Sequence, residues 1–191
     1  TTMKAKYELV QGLTGRKLVI ANADDPNVVT MGEWAKRDGC EVVWFSKEHN
    51  AMNIMSDVTG TRFDCVLGKE KINVRTTLIG EHQVSNILAA IMAARECGLN
   101  LQDVAKAAMA LEPATGVMEV KKGINGSVFI DDTFNNNPDA AKAAIRFLSQ
   151  QSGTKILVFQ PMIELGGYAE QSHEDVGFEA GKCADAIFLT N

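Results

Sequence analysis

Short apolar runs alternate with amphipathic stretches along the first half of the chain. Arg16–Ala21 and Glu41–Phe45 are apolar runs bounded by turn residues, which is typical of buried strands. The segment between them, Val28–Asp38, predicts a short helix that stops at a glycine. Further on, residues 62–79 predict two strands that turn near residues 68–71. This order of strand, helix and strand indicates an α/β fold.

Two helices are predicted from apolar residues spaced three and four positions apart. The first, Val84–Glu96, places five apolar side chains on one face: Val84, Ile87, Leu88, Ile91 and Met92. Gly98 ends that helix. A second helix is predicted over Leu101–Leu111, with its inward positions at Val104, Ala105, Ala108 and Leu111. Plain core packing explains both apolar stripes.

The second half begins with a candidate domain boundary at Pro113–Gly116, where two punctuating residues separate a helix from a hairpin. The hairpin is predicted from residues 118–120 and 127–130, which flank an Asn-Gly turn. Helices and strands then alternate: a helix from Pro138, a strand Lys155–Phe159, a helix Ser172–Cys183 and a strand Ala186–Leu189. This β-α-β-α-β order predicts a parallel sheet with right-handed crossovers.

Composition excludes some classes of protein. The 191 residues carry 19 basic and 24 acidic side chains, and a formal charge of −5 predicts no nucleic-acid partner. No apolar run approaches the roughly 20 residues of a membrane span, so no membrane partner is expected. Four widely spaced cysteines without a CxxC pair favour reduced thiols in a cytosolic protein. The start at Thr1 and the end just after an apolar run predict a fragment of a longer protein.

The segment Ile130–Leu148 carries the most specific candidate chemistry. A strand ends on Asp131 and Asp132, a polar turn follows, and Pro138 opens a helix for which Asn137 is the expected N-cap. Carboxylates at a strand end before a helix N-terminus are typical of ligand sites in α/β folds. Such a carboxylate suits a ribose diol or, through water, a metal ion. The alternative is an ordinary capped loop, which spacing alone favours.

A second candidate segment lies at the predicted junction between a strand and the first long helix. His82, Gln83 and Asn86 meet there, and amide side chains can read the donor and acceptor edge of a base. Helix capping by Ser85 or Asn86, with a solvated His82, is the simpler alternative. No GxxxxGK[ST] phosphate loop occurs in the chain, so a nucleotide phosphate site must come from elsewhere.

The third candidate segment, residues 159–173, joins a strand to a helix. Its unusual titratable groups are Glu164 and His173. A histidine at a helix start is more often structural than catalytic. Paired carboxylates elsewhere suit acid–base chemistry, but nothing near them supplies a nucleophile.

Together these segments resemble the Mur ligase family, in the family's order and over nearly the whole chain. MKAKYEL followed by VIANADDP resembles A-x-K-x-E-L and N-x-D-D-P, and GEHQVSNILAAIMAA resembles G-x-H-N-x-x-N-x-L-A-A-x-A. GVMEV falls where the family has G-R-M-E. IDDTFNNNP and PMIELG resemble the I-D-D-x-Y-N-A-N-P and D-M-x-E-L-G of the type that joins D-alanyl-D-alanine to UDP-N-acetylmuramoyl-tripeptide. Five motifs in register make the resemblance specific.

The resemblance implies the end of a central ATP-binding domain, residues 1–113, followed by the first half of a Rossmann-like C-terminal domain, residues 114–191. It implies a cytoplasmic peptide ligase of peptidoglycan synthesis, which phosphorylates a carboxylate with ATP and Mg²⁺ before an amine attacks the acyl phosphate. The expected small-molecule substrates are ATP, UDP-MurNAc-tripeptide and D-Ala-D-Ala. The phosphate loop, magnesium ligands and catalytic lysine are expected upstream of Thr1, so these 191 residues alone are expected to be inactive.

The resemblance also carries over binding roles, and no catalytic or metal-ligating residue is among them. The residues expected to contact the nucleotide are His82, Gln83, Asn86, Asp131, Asp132, Phe134 and Asn135. The first three fall at the adenine side of the pocket, and Asp132 falls at the ribose. Phe134 and Asn135 line the nucleotide from the C-terminal domain, and a hinge near Pro113–Gly116 lets that domain close over ATP.

Three departures from the family pattern leave alternatives open. Val117 replaces an arginine that reaches the ATP phosphates, Gln83 replaces an asparagine, and Gln160-Pro161 replaces Gly-Asp. One alternative is another superfamily member, such as the diamino-acid-adding Mur enzyme, folylpolyglutamate synthase or a cyanophycin-synthetase-like ligase. The asparagine-rich turn argues against these. The other alternative is a catalytically silent Mur-like protein that binds nucleotide or a partner without turnover.

Overall fold

The computed structural model describes residues 2–190, which divide into two compact units. The first unit comprises the described residues up to Met55, together with Arg62–Thr76 and His82–Leu111. The second comprises Ser56–Thr61, Thr77–Glu81 and the described residues from Glu112 onward. Within residues 2–190, no helix has the length and apolar character needed to cross a membrane.

A strand–helix–strand motif forms part of the first unit. Strands β1 (Leu18–Asn22) and β2 (Glu41–Phe45) pair in parallel, and helix α2 (Pro26–Arg37) connects them and packs on both. The start of α2 is fixed locally. Asp25 accepts hydrogen bonds from two amides of the first turn at 2.7 and 3.3 Å, while Pro26 takes the first helical position.

Further helices and one sheet complete the first unit. They are α1 (Thr2–Gln11), α3 (Lys47–Asn50), β3 (Ala51–Asp57), β4 (Gly60–Leu67), β5 (Glu70–Thr76), α4 (His82–Glu96) and α5 (Leu101–Ala108). The three strands form one sheet in the order β3-β4-β5. Residues 56–61, which are the end of β3, the turn and the start of β4, are counted with the second unit. Helix α4 packs on β1, β2 and α5, and α5 packs on β5.

The core of the first unit includes one face of α4. Five side chains of this helix are at most 6% exposed, and they are the five that spacing predicts: Val84, Ile87, Leu88, Ile91 and Met92. A smaller cluster lies between α1 and α2, where the Tyr7 ring meets Trp34 edge-on at 5.2 Å and the Tyr7 hydroxyl donates to Asp38 at 2.6 Å. Burial, aided by the Asp38 carboxylate, raises the pKa of Tyr7 to about 12.

The second unit contains an antiparallel hairpin and a parallel strand pair. Its elements are β6 (Glu119–Lys122), β7 (Val128–Asp131), α6 (Pro138–Ser149), β8 (Ile156–Phe159), α7 (Ala169–Gly181) and β9 (Ala186–Leu189). β6 pairs with β7, β8 pairs in parallel with β9, and α6 packs on α7. One apolar cluster includes Met162 and Val176, and another includes Ile79, Met118 and Phe147.

Most of the predicted elements are confirmed, but several helices begin earlier than predicted. Strands β2 and β9 match residue for residue, and the hairpin around Asn125-Gly126 is present. Helix α2 begins at Pro26, α4 at His82 and α7 at Ala169. Apolar periodicity locates the first buried residue of a helix, whereas its polar first turn carries no such signal.

Two predictions are wrong. Helix α5 ends at Ala108, so Leu111 does not point inward and is 40% exposed. In the described part of the second unit, the parallel pairing joins β8 to β9 only, so the predicted parallel sheet does not include β7, which pairs with β6 in the predicted hairpin. Helix α1 and strand β3 were not predicted. Asn53, inside β3, has a φ of +54°, and buried and exposed residues do not alternate regularly along this strand. The usual strand pattern is therefore absent.

Candidate functional site

The turn after β7 is held by Asp131. Its Oδ1 accepts hydrogen bonds from the Thr133 amide at 3.2 Å and the Thr133 hydroxyl at 2.7 Å. Its Oδ2 accepts from Lys121 Nζ at 2.6 Å. The bond from Lys121 is the main reason that the pKa of the Asp131 carboxyl lies below its usual range. Both oxygens of Asp131 are therefore bound by residues of the hairpin and its turn, as in the alternative of an ordinary capped loop.

Lys121 lies between two carboxylates of the β6–β7 hairpin. Its Nζ is 2.6 Å from Asp131 Oδ2 and 3.1 Å from Glu119 Oε2, and these bonds raise the pKa of Lys121. Glu119 also accepts from the Gly116 amide at 3.2 Å, which is the first cause of its lowered pKa. The three side chains together carry one more negative than positive charge. This cluster therefore offers no net positive charge to a phosphate.

Asp132 fixes the segment that leads into β6. The Met118 amide donates to Asp132 Oδ1 at 3.0 Å, and the Phe134 amide donates to the Gly116 carbonyl at 2.9 Å. Both Gly116, with φ of +70°, and Met118, with φ of +46°, have left-handed backbone. A Cβ on Gly116 would lie 3.3 Å from the Phe134 amide nitrogen. Glycine at 116 therefore permits both the turn and the close approach.

The three asparagines of the turn have different surroundings. Asn135 is exposed, as is the preceding Phe134 at 76%. Asn137 caps α6 by accepting hydrogen bonds from two amides of its first turn at 3.1 and 3.0 Å, which confirms the predicted N-cap. Asn136 Oδ1, in contrast, is buried without a hydrogen-bond partner. The sequence already marked this position as unusual, since Asn136 stands where the motif I-D-D-x-Y-N-A-N-P of the Mur ligase family has alanine.

In the first unit, helix α4 begins at His82. His82 and Gln83 are half-buried and Asn86 is exposed, and Asn86 Nδ2 donates to Gln83 Oε1 at 3.0 Å. Capping by Ser85 or Asn86 is wrong, because both residues lie inside the helix and a cap precedes the first helical residue. The bond between the two amides leaves the Gln83 NH₂ group as a donor and the Asn86 carbonyl as an acceptor.

The turn after β8 is anchored by His173. The Met162 amide donates to His173 Nε2 at 2.9 Å, and His173 Nδ1 is 2.7 Å from the Ala169 carbonyl oxygen. Because a carbonyl oxygen only accepts, Nδ1 is the donor to Ala169, while Nε2 is the acceptor for the Met162 amide. His173 therefore has the structural role expected of it. Glu164 has φ of +63°, an uncommon conformation for a residue with a side chain.

These groups offer hydrogen-bonding side chains for a ligand. Within residues 2–190, no group of three or more His, Cys, Asp or Glu side chains is arranged to hold a metal ion. Carboxylates and amides on anchored turns suit ligands that carry hydroxyl and amino groups.

Two family models match the chain in sequence order. One describes the Mur ligase middle domain and matches residues 1–94, and the other describes the Mur ligase, glutamate ligase domain and matches residues 118–191. Curated relatives named UDP-N-acetylmuramoyl-tripeptide–D-alanyl-D-alanine ligase include that of Mycobacterium tuberculosis strain H37Rv, 32% identical over 91% of this chain and 36% of its own length. The relative of the same name from Escherichia coli K12 is 32% identical over 95% of this chain and 40% of its own length.

Solved structures resemble the described fold as well. A crystal structure of MurF from Acinetobacter baumannii matches with a TM-score of 0.89 at 28% identity, covering 98% of this chain and 42% of that one. The chain therefore spans well under half the length of the relatives it matches. On these matches, the chain belongs to the Mur ligase family and carries sequence of its middle and glutamate ligase domains.

Proposed function

We propose that the full-length gene product carrying this chain is an ATP-dependent ligase that joins D-alanyl-D-alanine to UDP-N-acetylmuramoyl-tripeptide. The proposal depends chiefly on the 32% identity to two curated proteins named for that reaction. The asparagine-rich turn IDDTFNNNP supports the same type over other Mur-like ligases. Because ATP and UDP-linked precursors are cytoplasmic metabolites, we assign the reaction to the cytoplasm.

We assign residues 1–113 to the central ATP-binding domain and residues 114–191 to the Rossmann-like C-terminal domain. Apart from residues 56–61 and 77–81, the first unit ends at Leu111 and the second begins at Glu112, which supports a boundary near Pro113–Gly116. The ranges of the two family models, 1–94 and 118–191, support the same assignment.

In the first unit, we assign adenine recognition to His82, Gln83 and Asn86. The hydrogen bond between Asn86 and Gln83 fixes the two amides relative to each other. The Gln83 NH₂ group and the Asn86 carbonyl then present a donor and an acceptor, which complement the acceptor and donor on an adenine edge. Pre-organised amides lose little conformational entropy on binding.

In the second unit, we assign the ribose to Asp132 and one wall of the nucleotide pocket to Phe134 and Asn135. The bond from the Met118 amide holds Asp132 Oδ1, which fixes the direction of the carboxylate. The exposed Phe134 ring and Asn135 side chain are available to a ligand. Asp131 is engaged by Lys121 and Thr133, so we assign it to positioning of the turn.

In the proposed reaction, a substrate carboxylate oxygen attacks the γ-phosphorus of ATP, which gives an acyl phosphate and ADP. The D-Ala-D-Ala amine then attacks the acyl carbon, loses a proton, and expels inorganic phosphate as the amide forms. This chain contributes binding and orientation to both steps. No role in holding Mg²⁺ is assigned to the chain.

Phosphate release by the full-length gene product tests the proposal. We expect inorganic phosphate only when ATP, UDP-MurNAc-tripeptide and D-Ala-D-Ala are all present, with the UDP-pentapeptide detected by mass. Release that is independent of D-Ala-D-Ala would contradict the proposed amine substrate. Asn86→Ala is expected to raise KM for ATP roughly tenfold or more, as loss of a ligand hydrogen bond does. Ser85→Ala, one residue earlier in α4, is the matched control and should leave KM for ATP unchanged.

A second candidate function is nucleotide binding without turnover. The observation that favours it is Val117, which is uncharged where the resembling family has an arginine. Lys121, one of the two lysines of the neighbouring strand β6, is already paired with Asp131 and Glu119. This candidate predicts measurable ATP binding by the full-length product, no phosphate release with any combination of substrates, and gain of release in Val117→Arg.

A further inference from the structure

We propose that Glu164 binds the ammonium group of the incoming dipeptide, an inference that rests on the proposed function. The residue lies in the second unit, on the turn that follows β8, within the PMIELG motif. Four observations carry the proposal: the backbone conformation of Glu164, the anchoring of its turn, the position of that turn in the fold, and the surroundings of the carboxylate.

The backbone at Glu164 is strained. Its φ of +63° lies in the left-handed region, where a residue with a Cβ is less stable than in its ordinary conformations. Two glycines follow closely, at positions 166 and 167, yet the left-handed position at 164 is occupied by glutamate. Strain of this kind persists where the surroundings impose it, and it concentrates in ligand-binding segments.

The turn is anchored on both sides of Glu164. On one side, Met162 is 6% exposed in the apolar cluster with Val176, and its amide donates to His173 Nε2 at 2.9 Å. On the other side, the Tyr168 amide donates to the Leu165 carbonyl at 3.2 Å. His173 is itself fixed by its contact with the Ala169 carbonyl. The backbone position of Glu164, and with it the direction of its Cα–Cβ bond, is therefore set before any ligand arrives.

The turn occupies the edge of the second unit where α/β folds bind ligands. It follows the carboxyl end of β8, and β9 runs parallel beside β8, so that both strands end at this edge. In open α/β sheets the carboxyl ends of parallel strands form the ligand crevice. The Thr190 amide donates to the Phe159 carbonyl at 3.0 Å, which ties the ends of the two strands together.

The Glu164 carboxylate is exposed and has no hydrogen-bond or ion-pair partner within residues 2–190. Two large side chains of the same turn are also exposed, Ile163 at 77% and Tyr168 at 80%. A turn that carries both an exposed carboxylate and exposed apolar groups fits a small ligand with a cationic amine and methyl groups, which describes an alanyl dipeptide. The structure thus assigns amine recognition to the carboxylate and methyl contact to Ile163 and Tyr168.

Steady-state kinetics of the full-length gene product test this role. Glu164→Gln is expected to raise KM for D-Ala-D-Ala roughly 10- to 100-fold, as loss of a charge-assisted hydrogen bond does, while KM for ATP stays within about twofold. Glu170→Gln, which removes an exposed carboxylate six positions later, is the matched control and should change neither constant.

N-acetylated D-Ala-D-Ala isolates the ammonium, because it keeps both methyl groups and the carboxylate. We expect the wild-type protein to bind D-Ala-D-Ala more tightly than the acetylated form, and Glu164→Gln to bind the two almost equally. An unchanged preference in Glu164→Gln would overturn the assignment of Glu164. Wild-type phosphate release that does not depend on D-Ala-D-Ala would instead overturn the proposed function, and this inference with it.

Glu164→Gly separates loss of the carboxylate from misfolding. Glycine adopts a φ of +63° without strain, so the variant should raise the melting temperature by roughly 2 °C or more while losing dipeptide affinity as Glu164→Gln does. A Glu164→Gly protein that is more stable and retains wild-type KM for the dipeptide would also overturn the proposal.

Discussion

The Met118 amide donates a hydrogen bond to Asp132 Oδ1 at 3.0 Å, and Met118 holds a left-handed backbone with φ of +46° while its side chain is 4% exposed. A bulky residue in this conformation is an outlier, so its neighbours must impose it. Burial of the Met118 side chain with Ile79 and Phe147 fixes one end, and Asp132 fixes the amide. The carboxylate assigned to the ribose thus also stabilises the turn before β6.

This double role makes the two simplest substitutions of Asp132 behave differently. Asp132→Asn keeps an oxygen that can accept from the Met118 amide, so its free energy of unfolding should stay close to that of the wild type. Asp132→Ala leaves the amide without this acceptor and should lower the free energy of unfolding by about 1–2 kcal/mol. Both variants should weaken ATP binding, which calorimetry can measure. Equal stability of Asp132→Ala and Asp132→Asn would show that the Met118 contact contributes nothing.

Asn136→Ala is expected to stabilise the protein. The Oδ1 atom of Asn136 is buried without a partner, and an unsatisfied buried acceptor costs about 1–3 kcal/mol. Its removal should raise the free energy of unfolding by up to about 1 kcal/mol, since some packing is lost with the amide. The neighbouring Asn137→Ala is the control of opposite sign, because loss of the N-cap of α6 should cost about 1 kcal/mol. Denaturant unfolding of both variants measures these changes. A lower free energy of unfolding in Asn136→Ala than in the wild type would contradict the prediction.

The sequence predicted the site's local chemistry better than its contacts. The Asn137 cap and the apolar face of α4 follow from spacing alone, because both depend on residues close in the chain. The hairpin of β6 and β7 was predicted from its Asn-Gly turn, which is also local. The limit of the parallel pairing to β8 and β9 within residues 2–190 was not predicted, because strand order depends on long-range contacts. The engagement of Asp131 by Lys121 also depends on the hairpin register, which places Lys121 opposite Phe129 and Glu119 opposite Asp131.

Asp64 gives the stability of the first unit a pH dependence in acid. Its carboxylate accepts from Asn53 at 2.7 Å and Asn73 at 3.2 Å and pairs with Lys71 at 3.0 Å. These contacts, Asn53 first, lower the pKa of Asp64 to about 2. A pKa lowered in the folded state contributes stability that is present above the unfolded value near 4 and is lost as pH falls through about 2.

Asp64→Asn should therefore be less stable than the wild type at pH 7, and the difference should shrink between pH 4 and pH 2. Urea midpoints measured across that range provide the test. Asp103→Asn is the control, since Asp103 is an exposed carboxylate that pairs with the exposed Lys106 at 3.3 Å. A stability difference between wild type and Asp64→Asn that stays constant from pH 7 to pH 2 would contradict the role given to the Asp64 carboxylate.

Gly32→Ala should destabilise the protein, against the usual preference for alanine inside a helix. Gly32 is buried in α2, where a Cβ would lie 2.8 Å from Cζ2 of Trp44 and closer still to another atom of that ring. Alanine ordinarily gains about 0.5–1 kcal/mol over glycine in a helix, but overpacking costs about 1–3 kcal/mol. We expect a net loss in the free energy of unfolding, measured by denaturant titration.

Gly177→Ala and a double-mutant cycle test that explanation. Gly177 lies in α7, and apart from the backbone of its own helix no atom lies within 4 Å of the place where a Cβ would be. Alanine there should therefore raise the free energy of unfolding by about 0.5–1 kcal/mol. Trp44→Phe removes the ring atoms that a methyl at position 32 would meet. Gly32→Ala should therefore cost less in the Trp44→Phe background than in the wild type. An equal cost in both backgrounds would mean that contact with the Trp44 ring is not what requires glycine at position 32.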